Sequence, residues 1–160
     1  MAIVDLGHPA FACHDLDASL DFYAKLGITE SFRLLRDDGS VMLVYLQVAE
    51  DRFIEVFPGG PSPEERAGKQ SFMHICLAVD DLEATVEDLR AKGITIDIEP
   101  KMGLDFNMQA WIADPDGNKI ELMQYSPESP QVAIANGTSF PSSSTLVKKG
   151  DPIDPERTLV

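Results

Sequence analysis

Apolar positions recur along this chain with two periods. Between residues 6 and 13 they alternate closely enough for a β-strand. From Asp15 to about Leu26 they fall three and four apart, at Leu16, Leu20 and Tyr23, which makes one face of an α-helix apolar. Asp15 or Asp17 supplies its cap and Gly27 its stop. Short strand-like runs follow at Thr29–Leu35, Val41–Val48 and Arg52–Phe57, divided by turns at Asp37-Asp38-Gly39 and Glu50-Asp51. The pattern predicts β-α-β-β-β over about 6–57. The stretch Pro58-Gly59-Gly60-Pro61-Ser62-Pro63 cannot continue a sheet, so 58–71 reads as a linker, with a short helical turn at Glu64–Gly68. A second series then runs over 72–125: a strand at Phe72–Val79, a helix at Leu82–Lys92, and strands at Thr95–Glu99, Asn107–Ala113 and Lys119–Tyr125. Asp114-Pro115-Asp116-Gly117-Asn118 marks the last hairpin.

The second series is a copy of the first, displaced by 66 residues. The inner helix face Leu16, Leu20, Tyr23 returns as Leu82, Val86, Leu89, and Gly27-Ile28 returns as Gly93-Ile94. Asp15-Leu16-Asp17-Ala18-Ser19-Leu20 lies over Asp81-Leu82-Glu83-Ala84-Thr85-Val86 at the same offset. A long period with matched ends means one supersecondary unit used twice. The expected class is α+β, with two βαβββ modules forming an open, curled mixed sheet around a cleft. Residues 1–125 form the domain, and 126–160 form an irregular, Ser- and Pro-rich tail in which Ile134, Phe140, Leu146 and Val147 can act as anchors.

Four residues obey the same offset and carry chemistry. His8 returns as His74, and Glu55 returns as Glu121. Both glutamates sit in apolar runs, Phe53-Ile54-Glu55-Val56-Phe57 and Ile120-Glu121-Leu122-Met123. An ionised carboxylate in such surroundings is costly unless it meets a cation or a basic partner. Neither Arg nor Lys recurs at matched positions, whereas His does, so a shared metal is the simplest partner. Imidazole with carboxylate suits Zn²⁺, Ni²⁺, Co²⁺, Fe²⁺ or Mn²⁺, one ion per site. Four protein ligands leave two octahedral positions for the vicinal oxygens of a substrate. That arrangement supports polarisation of a carbonyl and stabilisation of the enolate formed on loss of a neighbouring proton. Glu121 or Glu55, released from the metal, is the candidate base.

Other residues carry less. Phe106, Asn107, Met108 and Gln109 precede or open a strand expected to face the site, and are candidate substrate contacts. Tyr45 and Trp111 lie on strands and read as core aromatics. Cys13 and Cys76 read as small buried hydrophobes, and His14 as an exposed residue ahead of a cap. A net charge of −14 disfavours nucleic acid and anionic membrane as partners. The first residues show neither a basic stretch nor a long apolar run, so no signal peptide is expected and the cytoplasm is the expected compartment.

Residues 6–125 resemble the vicinal oxygen chelate superfamily, which includes glyoxalase I, bleomycin-resistance proteins and extradiol dioxygenases. The resemblance rests on His8, on the helix start Asp15-Leu16-Asp17-Ala18-Ser19-Leu20-Asp21-Phe22-Tyr23, and on Asp114-Pro115-Asp116-Gly117-Asn118-Lys119-Ile120-Glu121-Leu122. It implies paired βαβββ modules around a metal held by His8, Glu55, His74 and Glu121, the glyoxalase I set of two His and two Glu. It also implies a metal-dependent lyase or isomerase acting on a small carbonyl substrate. Bacterial glyoxalase I enzymes carry an Arg four residues after the first His and an Asn four residues after the first Glu. Here these positions are Ala12 and Gly59, so a glutathione adduct is not the expected substrate. The alternatives within the resemblance are an Fe²⁺ dioxygenase using His8, His74 and Glu121, and a metal-free, ligand-sequestering binding protein.

Each module supplies half of such a site. The 19 residues from Glu55 to His74 can join the halves within one chain or across two. The resemblance implies a homodimer, with His8 and Glu55 of one chain meeting His74 and Glu121 of the other.

Overall fold

The computed structural model describes residues 7–66 and 72–140. In chain order the elements are β1 (Ala10–Cys13), α1 (Leu16–Lys25), β2 (Thr29–Leu35), β3 (Val41–Ala49), β4 (Arg52–Pro58), β5 (Ile75–Ala78), α2 (Leu82–Ala91), β6 (Ile98–Met102), β7 (Met108–Ala113), β8 (Lys119–Gln124) and α3 (Pro130–Ala135). They build two four-stranded mixed sheets of identical topology, β1-β4-β3-β2 and β5-β8-β7-β6, each with one helix. Neither closes into a barrel. This is the α+β pair of βαβββ modules that the 66-residue period implies.

The repeat extends to atomic detail. Asp15 caps α1 by accepting from Ala18 N at 3.0 Å, and Asp81 caps α2 by accepting from Ala84 N at 3.0 Å. Both helices end in a left-handed glycine, Gly27 at φ 80° and Gly93 at φ 81°. The following amide reaches back into the last turn, Ile28 N to Tyr23 O and Ile94 N to Leu89 O, each at 3.0 Å. Only a residue without a Cβ takes that backbone turn cheaply. In α2 the residues of the expected inner face, Leu82, Val86 and Leu89, are all buried. In α1, Tyr23 is fully buried, while Leu16 and Leu20 pack partly exposed against the same core.

The core lies between each helix and one face of its sheet. Val44, Leu46, Ile54 and Val56 point into it from the first sheet, and Ala110, Ile112, Ile120 and Leu122 from the second. Because side chains alternate along a strand, the intervening residues line the opposite, open faces.

The modules are clasped by the β7–β8 turn. Asp114 accepts from Tyr23 Oη at 3.1 Å and from Asn118 Nδ2 at 2.8 Å. Asp116 accepts from His14 N at 2.9 Å and Ser19 Oγ at 3.4 Å, and Arg66 Nη2 lies 3.6 Å from it. Both aspartates are buried. Burial pushes the Asp114 carboxyl up, against the bonds from Asn118 and Tyr23 that stabilise its charge. Burial and the neighbouring Asp114 push the Tyr23 phenol up, so it stays a donor. The sequence reading of 114–118 as a hairpin is right but incomplete, since the turn also ties module 2 to α1.

Several elements depart from expectation. The first strand begins at Ala10 rather than residue 6, so His8 lies just ahead of it, and likewise His74 precedes β5. β6 runs over Ile98–Met102 instead of Thr95–Glu99, because its pairing with β7 breaks register between Ile98 and Lys101 and continues to Met102↔Met108. The tail is not wholly irregular. Ser129 accepts from Val132 N, Pro130 occupies the first turn, and together they start α3. Pro130 and Ala133 are its buried residues, whereas the expected anchor Ile134 is exposed. Leu146 and Val147 lie outside the described residues, as does the end of the turn expected at 64–68. No helix among the described residues is long and apolar enough to cross a membrane.

Candidate metal centre

His8 and Glu55 are neighbours on the open face of the first sheet. His8 Nε2 lies 3.3 Å from Glu55 Oε2. His74 Nε2 lies at the same distance, 3.3 Å, from Glu121 Oε2 on the second sheet. The parallel pairing that brings each pair together is also conserved between copies, Ala10↔Glu55 in β1–β4 and Cys76↔Glu121 in β5–β8. Both glutamates are buried, at 8% and 7% exposure, while both imidazoles reach solvent. Each module therefore presents one accessible imidazole beside one sequestered carboxylate.

The donor chemistry fits half a divalent metal site on each module. Two buried carboxylates at equivalent positions, each with an imidazole as the basic neighbour, form the arrangement that a cation would complete. Among the described residues no three or more His, Cys, Asp or Glu side chains are grouped so as to hold a metal ion, so the His8–Glu55 and His74–Glu121 pairs do not form one site within one chain.

Each half-site also contains an aromatic ring. Tyr45 pairs with Glu55 across β3–β4, and Trp111 pairs with Glu121 across β7–β8. The two positions are again 66 apart. Tyr45 stands edge-on to His8, ring centroids 6.0 Å apart, and Trp111 edge-on to His74 at 4.8 Å. The expectation that these two are core residues is corrected. The cross-strand register puts them on the glutamate faces, opposite the core. Their common offset was the signal in the sequence that pointed to a shared role.

The groups beside the two carboxylates differ. Tyr45 lies opposite Glu55 across β3–β4, and the interaction with that carboxylate, followed by burial, raises the pKa of the phenol. Trp111 Nε1 instead donates to Gln109 Oε1 at 3.0 Å. Cys76 lies opposite Glu121 across β5–β8, and partial burial and then the Glu121 charge push its thiol up to about 12. Cys76 is thus a protonated side chain on the site face with solvent exposure, and not the buried hydrophobe expected. Cys13 is buried as expected, with Sγ 3.5 Å from Phe57 O. His14 is exposed, also as expected.

The four expected substrate contacts separate. Gln109 lies on the face of Glu121 and Trp111. Phe106, half-buried, sits in the preceding loop. Met108 has the opposite parity and packs against the core. Asn107 is fully buried, its carboxamide engaged by Asp105, Gln131 and Ser126 N. Met108 and Asn107 are turned to packing and to loop structure respectively, which sequence position alone did not resolve.

On the first sheet Phe32 stacks on Tyr45 at 4.2 Å between centroids, and Phe53 lies edge-on to both. An aromatic wall therefore borders the His8–Glu55 pair.

Known proteins share this architecture. A profile of the Glyoxalase/Bleomycin resistance protein/Dioxygenase superfamily matches residues 5–122. The chain is 32% identical over 124 residues to a protein of Synechocystis sp. named probable lactoylglutathione lyase, covering 74% of this chain and 94% of that one. Among solved structures, a bleomycin-binding protein complexed with bleomycin superposes with a TM-score of 0.57 at 27% identity, over 77% of this chain and 100% of that one. A glyoxalase family protein from Enterococcus faecalis shares the fold, with a TM-score of 0.63 at 20% identity over 74% and 96% of the two chains. Motif, repeat, topology and profile agree, and the chain belongs to the Glyoxalase/Bleomycin resistance protein/Dioxygenase superfamily.

Proposed function

We propose that the protein is a divalent-metal-dependent lyase or isomerase of the glyoxalase type, acting on a small carbonyl compound. The observation that carries this reading is the matched pair of His–Glu contacts, each 3.3 Å, with both carboxylates buried on open sheet faces. A divalent ion held there supplies a Lewis acid for a substrate oxygen. The remaining work falls to the chain itself. His8, Glu55, His74 and Glu121 are the holding side chains. Glu121 takes the proton from the carbon beside the carbonyl and returns it to the neighbouring carbon. Glu121 suits the moving role because its cross-strand neighbours are Cys76, a weak donor, and Trp111, whose N–H is engaged by Gln109, whereas Glu55 lies opposite Tyr45, whose hydroxyl can bond a carboxylate. Gln109 lies on the same sheet face.

A complete donor set needs a second copy, because the pairs do not meet within one chain. We therefore place His8 and Glu55 of one subunit against His74 and Glu121 of a twofold-related partner. Exposed Phe72 and Met73, immediately before His74, are apolar surface that such a partner would cover. The substrate in this reading is not a glutathione adduct. Ala12 and Gly59 offer no charged side chain, and the Arg66 guanidinium beside Ala12 is engaged with Ala12 O and Asn118 Oδ1, both at 2.8 Å.

Mixing His8→Ala protein with His74→Ala protein tests the shared site. Mixed dimers regain one intact site and hence part of the metal binding, whereas sites built within one chain regain none. Hydrogen–deuterium exchange at the α-carbon of a panel of hydroxy- and keto-carbonyl compounds tests the chemistry. A fully metal-loaded protein that exchanges none of them would refute it. One observation favours a second reading, a ligand-sequestering protein: the aromatic wall of Phe32, Tyr45 and Phe53, together with the similarity to a bleomycin-binding protein. That reading wins if the protein purifies metal-free and His74→Ala leaves the binding of a planar aromatic ligand unchanged.

A further inference from the structure

The loop joining β6 to β7 contains Phe106, at φ 65° the one non-glycine residue with positive φ among those described. Such a conformation is strained and persists only where surrounding contacts enforce it. Some of those contacts are within the loop, Phe106 N to Gly103 O at 3.2 Å among them, and others come from α3, which lies beyond the family match ending at residue 122. Gln131 Nε2 donates to Asp105 Oδ2 at 2.7 Å, and Gln131 Oε1 accepts from Asn107 Nδ2 at 3.1 Å. Asn107 Nδ2 donates to Asp105 Oδ2 at 2.8 Å, which closes a triangle of three side chains. Asn107 Oδ1 accepts from Ser126 N at 2.9 Å, so the start of the tail is tied to the same amide.

From the loop, contacts run on toward the candidate metal centre. Gly103 N donates to Asn107 O at 2.7 Å, and Gly103 lies so close to Gln109 that a methyl group there would overlap Gln109 Nε2. The other end of that carboxamide, Oε1, accepts from Trp111 Nε1 at 3.0 Å, and the Trp111 ring stands edge-on to His74 at 4.8 Å. A continuous series of contacts links an exposed glutamine on the tail helix to a candidate ligand imidazole.

We propose that α3 is a positioning element for the second half-site, acting from Gln131 through Asp105, Asn107, Gly103, Gln109 and Trp111 on His74. The inference rests on His74 being a ligand only for its effect on metal; the placement of Trp111 follows from the contacts alone. Gln131 is a positioning residue and touches neither metal nor substrate. It contributes little to folding, since it is exposed and the buried residues of α3 are Pro130 and Ala133.

The chain has a single tryptophan, Trp111, so its fluorescence reports this contact series directly. In the full chain without metal, Gln131→Ala and the near-isosteric Gln131→Met are expected to red-shift Trp111 emission and raise its quenching by acrylamide, with far-UV circular dichroism unchanged. Gly103→Ala, which displaces Gln109 directly, should move the emission in the same direction. Titrated with Ni²⁺, both Gln131 variants should show an apparent Kd raised about three- to tenfold, below the loss typical of groups bonded directly to a ligand. The proposal is overturned if emission and quenching in the Gln131 variants match the parent protein. A parent protein that binds no Ni²⁺ defeats the metal reading instead, and the metal-free emission still decides the role of α3.

Discussion

Tyr45 and Trp111 occupy the same place in the two modules but present different chemistry to the carboxylate beside them. An O–H bond to a carboxylate is charge-assisted, and a thiol is a weak donor. Tyr45→Phe should therefore loosen Glu55 and weaken Ni²⁺ binding about tenfold, while Cys76→Ala should change it little; isothermal titration of the two variants gives the comparison. A second residue with a distinct signature is Asp105. Burial raises its carboxyl, but the bonds from Asn107 and Gln131 and the loop amides outweigh it and hold the carboxyl below the ordinary value. A depressed acid stabilises the fold above its unfolded value and loses that contribution as pH falls through the folded one. Acidification below the ordinary carboxylate range should thus release the 103–107 loop. Asp114, pushed up by burial, acts in the opposite sense. The measurement is accordingly the urea midpoint against pH for the parent and Asp105→Asn, with the acid-side loss smaller in the variant.

Caps and hairpins show how far local chemistry governs each element. Asp15 and Asp81 make the same 3.0 Å bond at equivalent helix starts. Removing either with Ala should cost about 1 kcal/mol in chemical denaturation, with nearly equal losses. Two separate transitions, or a changed m-value, in either variant would mean that the modules unfold separately. The β7–β8 turn behaves differently because its aspartates serve the other module. Tyr23→Phe removes a buried donor from Asp114 and should cost about 1–2 kcal/mol, although it leaves α1 packing intact. β2 is the least protected strand, an edge with all seven residues exposed, including Phe32, Leu34 and Leu35.

Assembly ties these pieces together. In the proposed reading the two His–Glu pairs, each an accessible imidazole beside a buried carboxylate, are two half-sites that do not meet within one chain. The proposed twofold pairing would make two whole ones, so metal content should approach two ions per dimer and fall together with dimer content on dilution. Analytical ultracentrifugation with parallel metal analysis checks this. A metal-loaded monomer would refute the shared site. Phe72→Asp, placing a charge on the exposed apolar patch beside His74, should shift the population to folded monomer and lower metal content in step.

The order of strands and helices within the two modules, the helix stops and the matched His and Glu positions were legible in the chain because each follows from short-range periodicity or from one unit copied at a fixed offset, whereas the first cap stayed open between Asp15 and Asp17. The copying is also why His8 could be matched to His74 and Glu55 to Glu121 without coordinates. Other features depend on contacts between residues far apart, and no local pattern encodes these. The register of β3 on β4 decided that Tyr45 faces Glu55 and not the core, and the irregular pairing of β6 decided its span. Folding likewise gave Asp114 and Asp116 their role as a clasp on α1 and turned Asn107 inward. Gln131 carries no signal of its own in sequence. Its position becomes meaningful only once α3 lies against the 103–107 loop, where two amides and a carboxylate satisfy one another.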